Sequence, residues 1–148
     1  MSVTFREARR EDVPAVVALL ADDMLGQGRE TAELSAYHAA FDAMAEEGGN
    51  LLIVGEQAGE VVATYQLTFI SGLSLAAARR AQVESVRVAG RLRGQGVGQR
   101  MFADVEARAR AAGCSLVQLT MNASRADSRR FYEGLGFVPS HVGFKKSL

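Results

Sequence analysis

Cysteine is nearly missing from this chain: Cys114 is the only one in 148 residues. A single thiol excludes an internal disulfide and any cysteine-built zinc cage. Histidine is almost as scarce. His38 and His141 lie far apart, so no metal site is expected. No apolar run is long enough to cross a bilayer, and no membrane partner is expected. Met1 to Pro14 is crowded with Arg6, Glu7, Arg9, Arg10, Glu11 and Asp12, which does not suit a signal peptide. A reducing, cytoplasmic setting fits these absences. Net charge is missing as well, since 17 Lys and Arg balance 17 Asp and Glu. With no net charge and no aromatics interleaved, the arginine pairs Arg79-Arg80 and Arg129-Arg130 read as surface charge, and no nucleic-acid partner is expected.

The balance hides an asymmetry. Residues 1–60 hold 12 acidic and 4 basic side chains, and residues 61–148 hold 5 acidic and 13 basic. One consequence would be a basic side for a polyanionic ligand and an acidic side for a cationic substrate. The alternative is that the two parts interleave in space and the asymmetry disappears.

Hydrophobic periodicity predicts the elements. Val3 to Arg6 alternates as a first strand. Val13, Val16, Val17, Leu20 and Met24 repeat at helical spacing, with Pro14 in the first turn, where its missing N–H costs nothing. Gly26 and Gly28 would end that helix. A second helix carries Leu34, Tyr37, Phe41 and Met44 on one stripe and stops at Gly48-Gly49. Leu51 to Glu56 and Glu60 to Ile70 are β-rich runs joined by a turn at Gln57-Ala58-Gly59. A loop from Ser71 to Ala78 leads into a fourth strand, Ala81 to Val88. The third helix, Val97 to Ala112, turns Val97, Met101, Val105, Ala109 and Ala112 inward and the pairs Asp104–Arg108 and Glu106–Arg110 outward. Gly113 ends it. Leu116 to Met121 is a fifth strand. Ser124-x-x-Asp127 is like a capping box for a last helix through Leu135, ended by Gly136. Phe137-Val138 and Val142 to Lys146 read as a final hairpin. The whole length, residues 1–148, suits one α/β domain: a mixed central sheet of about seven strands with helices on both faces.

Between the fourth strand and the third helix lies Arg93-Gly94-Gln95-Gly96-Val97-Gly98. A glycine-rich turn that opens a helix presents unpaired N–H groups and the positive end of the helix dipole, which suits a phosphate. Arg93 adds a fixed cation with a bidentate fork. The spacing is not Gly-x-Gly-x-x-Gly, because Gln99 follows Gly98, and no Gly-Lys-Ser/Thr follows. A nucleotide-dependent oxidoreductase and a P-loop are therefore excluded. A plain glycine turn stands as the alternative.

A second constellation, Phe131-Tyr132-Glu133-Gly134-Leu135-Gly136-Phe137, follows in the last helix. Together, Arg-x-x-Gly-x-Gly after a strand and this closing segment resemble the signatures of the GNAT superfamily of acetyl-CoA-dependent N-acetyltransferases. The resemblance covers nearly the whole chain. It implies an enzyme that passes the acetyl group of acetyl-CoA directly to a small amine, without a metal. The alternative is a non-catalytic CoA-binding sensor or interaction domain on the same fold. Val86, Arg87 and Val88 match the strand that offers backbone groups to the pantetheine arm. Arg93, Gly94, Gln95, Gly96, Val97 and Gly98 match the diphosphate loop. Tyr132 matches a general acid for the departing thiolate. A phenol of pKa about 10 is protonated at neutral pH and can donate, although a packed aromatic beside Phe131 and Leu135 would read the same way.

Glu84 matches a glutamate that acts as base directly or through water. The alternatives are a solvated residue or a salt bridge to Arg87. Glu84, Val86 and Val88 share parity and face together unless a bulge intervenes. The chain departs from the family in two places. Thr120 stands where ribosomal-protein acetyltransferases carry a glutamate base, which argues against a protein N-terminus as acceptor. Arg125 stands where many relatives have a CoA-contacting Asn, a role Asn122 would have to fill. Small domains of this type often pair, and a homodimer is expected through the terminal edge.

Overall fold

The computed structural model describes residues 2–22, 30 and 33–148. Two compact units divide the chain, Met1–Gln118 and Leu119–Leu148. In chain order the first unit contains β1 (Thr4–Glu7), α1 (Val13–Ala21), α2 (Leu34–Glu46), β2 (Asn50–Gln57), β3 (Glu60–Ile70), α3 (Ser74–Ala77), β4 (Arg80–Val88) and α4 (Val97–Ala111), and β5 (Leu116–Leu119) crosses the boundary. The expected helix stop at Gly26 and Gly28, and Met24 before it, lie outside the described residues.

The strands follow one another across a single sheet in the order β1-β2-β3-β4-β5. The first three pairings are antiparallel. Ala58 and Gly59, both at positive φ, close the tight β2–β3 turn. The last pairing is parallel: Ser115 N donates to Arg79 O at 2.9 Å and Gln118 Nε2 donates to Gln82 Oε1 at 2.7 Å, so the two strands advance together. A helical crossover such as α4 is what a parallel neighbour requires. The mixed sheet matches expectation, with five strands rather than about seven. The missing two are the final hairpin. A strand exists only through its ladder, and residues 137–148 form none. Phe144 leaves 93% of its surface exposed.

Period-2 alternation assigns the two faces of the sheet. On one face, Tyr65 and Leu67 of β3 pack under α4 with Met101, Phe102 and Val105, all of them fully or almost fully buried. The Tyr65 hydroxyl donates to Asp104 Oδ2 at 2.5 Å. Arg108 Nε donates to the same oxygen at 2.8 Å and Arg108 Nη2 to Phe5 O at 3.4 Å. Burial, then the Asp104 charge, pushes the Tyr65 phenol well above its usual range. The Asp104–Arg108 pair is therefore not the exposed pair expected from its spacing. It faces inward, where Tyr65 gives it a third member, while Glu106–Arg110 does lie outside.

At the far end of α4, Arg79 Nε donates to Ala112 O at 3.0 Å and its guanidinium lies over the Phe69 ring at 5.6 Å. The opposite face of the sheet carries α1 and α2. There, Asp12 is 7% exposed. It accepts from both terminal nitrogens of Arg6, at 2.8 and 3.1 Å, and from Arg9 N at 2.7 Å. These bonds, led by Arg6, hold its carboxyl below the usual range against the effect of burial. α3 is wound left-handed: Leu75, Ala76 and Ala77 all have φ between 54 and 60°.

In the second unit, α5 (Ala126–Gly134) begins one residue later than the capping-box reading has it. Ser124 does not cap. Its N and Oγ donate to Asn122 Oδ1 at 3.0 and 2.6 Å, a local turn that competes with the cap, and Asp127 pairs with Arg130 instead. Arg125 stands at the cap position without a side-chain bond. Gly136, at φ 95°, turns the chain out of the helix as expected.

Candidate active site

β4 is broken in its middle. Gln66 of β3 pairs with Glu84 and Thr64 with Arg87, so the single Tyr65 spans two residues of β4, Ser85 and Val86. This is a bulge, and Ser85 sits in the left-handed region at φ 55° to make it. Cross-strand partners share a face, so Glu84 and Arg87 both lie on the α1/α2 side although they are three apart. Val88, opposite Ala63, lies on the α4 side. The shared parity of Glu84, Val86 and Val88 is thus lost. Glu84 is also exposed rather than buried in the strand, although it keeps its place in the ladder opposite Gln66. Val86 and Arg87 are half-buried, and Arg87 Nη1 donates to Val86 O at 2.9 Å.

Within the first unit the other edge of β4 is unpaired beyond Val83. β5 ends at Leu119, which on the β4–β5 offset reaches only Val83. Among the described residues of the first unit, no strand runs beside Glu84–Val88 on that side. An extended ligand can pair with such an edge through backbone bonds.

The strand leads directly into the glycine loop. Ala89 N donates to Val62 O at 2.8 Å, and a 3-10 turn over Gly90–Leu92 buries Leu92 beneath the loop. Gly94 and Gly96 have φ of 75 and 78°. The second of these is the N-cap of α4, and no side chain caps that helix. Its first turn holds no acidic residue. The N–H groups of Val97, Gly98 and Gln99 therefore have no acceptor within the helix. Arg93 is exposed, without a carboxylate partner among the described residues, whereas Arg91 is paired to Glu60 at 2.9 Å. Gln95 Nε2 donates to Arg91 O at 3.1 Å, which braces the loop. Uncapped amides, a helix dipole and a guanidinium without a carboxylate partner suit a diphosphate.

On the α1/α2 face a cavity of about 120 Å³ opens beside the bulge. Val17, Leu20, Phe41, Met44 and Leu52 supply apolar wall, and Gln66 and Ser85 the polar end. Among the described residues no carboxylate lines it. Of the acidic surplus of residues 1–60, Asp12, Asp42 and Glu60 are engaged by Arg6, Arg10 and Arg91, and Glu30 accepts from the hydroxyl of Tyr37, which lines the cavity. Gln66 and Ser85 do not stand out in the sequence. The one signal is the polar alternation Thr64, Gln66, Thr68 on β3, which marks a face that is not fully packed.

Tyr132, Asn122 and Arg125 belong to the second unit. Tyr132 is half-buried on α5, edge-on to Phe131 at 5.4 Å and to Phe137 at 5.9 Å. Asn122 and Arg125 are exposed. The Asn122 oxygen is already engaged by Ser124. His38 is half-buried on α2, Cys114 half-buried after Gly113, and His141 exposed. Among the described residues no group of three or more His, Cys, Asp or Glu could hold a metal. No described helix is long and apolar enough to cross a membrane.

Comparison with known proteins agrees with this layout. The pattern described as the Acetyltransferase (GNAT) family matches residues 13–137. A solved structure of a transcriptional regulator from Bacillus halodurans C-125 is 40% identical, with a TM-score of 0.94 over 99% of each chain. The L-methionine sulfoximine/L-methionine sulfone acetyltransferase of Pseudomonas paraeruginosa is 28% identical across 93% of this chain and 81% of its own. The aminoalkylphosphonate N-acetyltransferase of Salmonella typhimurium is 37% identical over 67 residues, 45% of this chain, and the match spans less than half of that protein, 44%.

Proposed function

Because the chain belongs to the GNAT family of acetyl-CoA-dependent N-acetyltransferases, we propose that it transfers the acetyl group of acetyl-CoA directly to the nitrogen of a small amine. One observation carries this reading. The bulged edge of β4, unpaired within the first unit beyond Val83, runs straight into the uncapped N-terminus of α4, so one continuous piece of backbone suits an extended chain that ends in a polyanion. The two relatives named above for an acceptor act on small amines, which supports the acceptor class.

Each residue has a role in this proposal. Val86, Arg87 and Val88 flank the pantetheine arm. Arg93, Gly94, Gln95, Gly96, Val97 and Gly98 hold the diphosphate. Arg125 offers a further cation to phosphate, and Asn122 keeps only its Nδ2 for a ligand. A bulge N–H polarises the thioester carbonyl. The amine nitrogen forms the new N–C bond as the C–S bond breaks. Its proton leaves to Glu84 or to water, and the thiolate is protonated by Tyr132.

A second reading has a specific observation behind it: the 40% identical structure is of a transcriptional regulator. The same slot would then sense CoA rather than use it. Release of free CoA thiol in the presence of an amine panel separates the two. Turnover with any amine removes the sensor reading. Tight acetyl-CoA binding with no turnover across the panel removes the enzymatic one.

A further inference from the structure

We infer that the cavity between α1, α2 and the sheet holds the carbon skeleton of the acceptor, and that Gln66 receives the amine at its polar end. This rests on the acetyltransferase reading and narrows it to a substrate class: short primary amines with an apolar chain and no second charge.

The two faces of the sheet are packed differently. Under α4 the large side chains are closed to solvent. Under α1 and α2, Val17, Leu20, Phe41, Met44 and Leu52 remain half-buried around an open space of about 120 Å³. The looseness is therefore local to the side where the β4 bulge places Glu84 and Ser85. Unfilled apolar volume costs stability, and an apolar guest recovers it. The space of about 120 Å³ has room for a short apolar chain. Among the described lining residues, a second ammonium inside would be desolvated with no carboxylate to meet it.

The polar end is oriented by a chain of three side chains. Glu47 Oε2 can only accept, so Asn50 turns Nδ2 toward it at 2.7 Å. Asn50 Oδ1 then faces Gln66 and accepts from its Nε2 at 2.8 Å, and also from Thr68 Oγ1 at 3.3 Å. Gln66 is left with Oε1, to which no described residue donates. The Thr64 hydroxyl gives its proton to Ile53 O at 2.9 Å and keeps its oxygen as an acceptor. Gln66 Oε1 and the Ser85 hydroxyl are acceptors at the polar end of the cavity, and Glu84 stands across the ladder from Gln66. Such acceptors match the N–H donors of an amine. Gln66 binds substrate. Asn50 and Glu47 are positioning residues, acting only through it.

The test is transfer from acetyl-CoA to a ladder of n-alkylamines from methylamine to n-octylamine, with 1,4-diaminobutane as the doubly charged control. The expected kcat/KM rises about fourfold per methylene up to about four carbons and then falls. The diamine should lie at least tenfold below n-butylamine. Ala40→Leu, at an exposed helical position on the rim, fills the space. It should cost n-butylamine tenfold or more and methylamine less than twofold, with acetyl-CoA affinity unchanged. Gln66→Leu should raise KM about tenfold for every amine with kcat within twofold. Indifference to chain length, a preference for the diamine, or an Ala40→Leu enzyme with an unaltered profile would each overturn the assignment while leaving acetyl transfer in place. If no amine turns over, n-butylamine is titrated while the methyl resonances of Val17 and Met44 are followed. Saturable shifts keep the pocket assignment, and their absence ends it.

Discussion

Replacing Gly96 by valine separates backbone strain from ligand contact. Gly96 has φ 78°, and a Cβ there would meet only Gln99 Oε1, at 3.9 Å. Space is not the obstacle; the left-handed backbone is. An L-residue in that region costs about 1–2 kcal/mol, and a β-branched one lies at the upper end. If the backbone holds, stability falls by about 2 kcal/mol, which is roughly 4–8 °C in Tm for a chain of this size. If it relaxes, the first N–H groups of α4 turn away from the anion. Charge-assisted bonds contribute about 1.5–3 kcal/mol each, so losing two weakens acetyl-CoA binding by roughly 10²-fold or more. Gly59→Val is the matched control. Gly59 sits at φ 79° in the β2–β3 turn, with nothing within 4 Å of where a Cβ would stand, so the substitution carries the same strain away from the loop. Calorimetry with acetyl-CoA should show weak binding for Gly96→Val and native affinity for Gly59→Val. A folded Gly96→Val protein with native affinity would refute the loop assignment, and equal losses in both variants would reduce it to a stability effect.

Three further outcomes are expected. Tyr132→Phe keeps both ring contacts and removes the hydroxyl, so stability should change by about 1 kcal/mol or less while turnover falls roughly 10²-fold at unchanged acetyl-CoA affinity; a loss confined to KM would make Tyr132 a binding residue, and no loss would make it a packing aromatic. Asp12 has a depressed folded pKa, so its contribution is present above the unfolded value of about 4 and is lost as pH falls through the folded one. Asp12→Asn should therefore cost about 2–3 kcal/mol near pH 7 and flatten the acid limb of the stability curve, and a urea series giving parallel curves for both proteins would contradict that sign. Val138, Val142 and Phe144 expose apolar surface in the second unit, and light scattering should give a dimer mass at micromolar concentration; a monomer would refute pairing.

The most legible parts of the sequence were those fixed by local rules. Glycines at positive φ placed the loop before α4 and the ends of α4 and α5. Alternation found β2 and β3 and the tight turn between them. What failed depended on partners that periodicity does not see. Val142 to Lys146 has strand composition, but composition supplies no ladder. Asp104 and Arg108 have the spacing of a surface pair, yet Tyr65, far away in sequence, draws them inward. Ser124 and Asp127 have capping spacing, but Asn122 offered Ser124 a nearer acceptor. The lost parity of Glu84 with Val86 and Val88 follows from one left-handed residue, Ser85, and no side-chain preference announces a serine in that region.

α4 is tied down unevenly. Its middle is held to Tyr65 through Asp104 and Arg108, and the carbonyl just past its end to Arg79. Its first turn has no side-chain cap. A bound diphosphate would thus act as the missing cap, and part of its binding free energy would appear as helix order. The amides of Val97, Gly98 and Gln99 should exchange with solvent quickly in the free protein and slow sharply on binding, whereas those near Ala109 should hardly respond. The helix would then work as a lever fixed at one end, reporting at its other end whether the slot is filled.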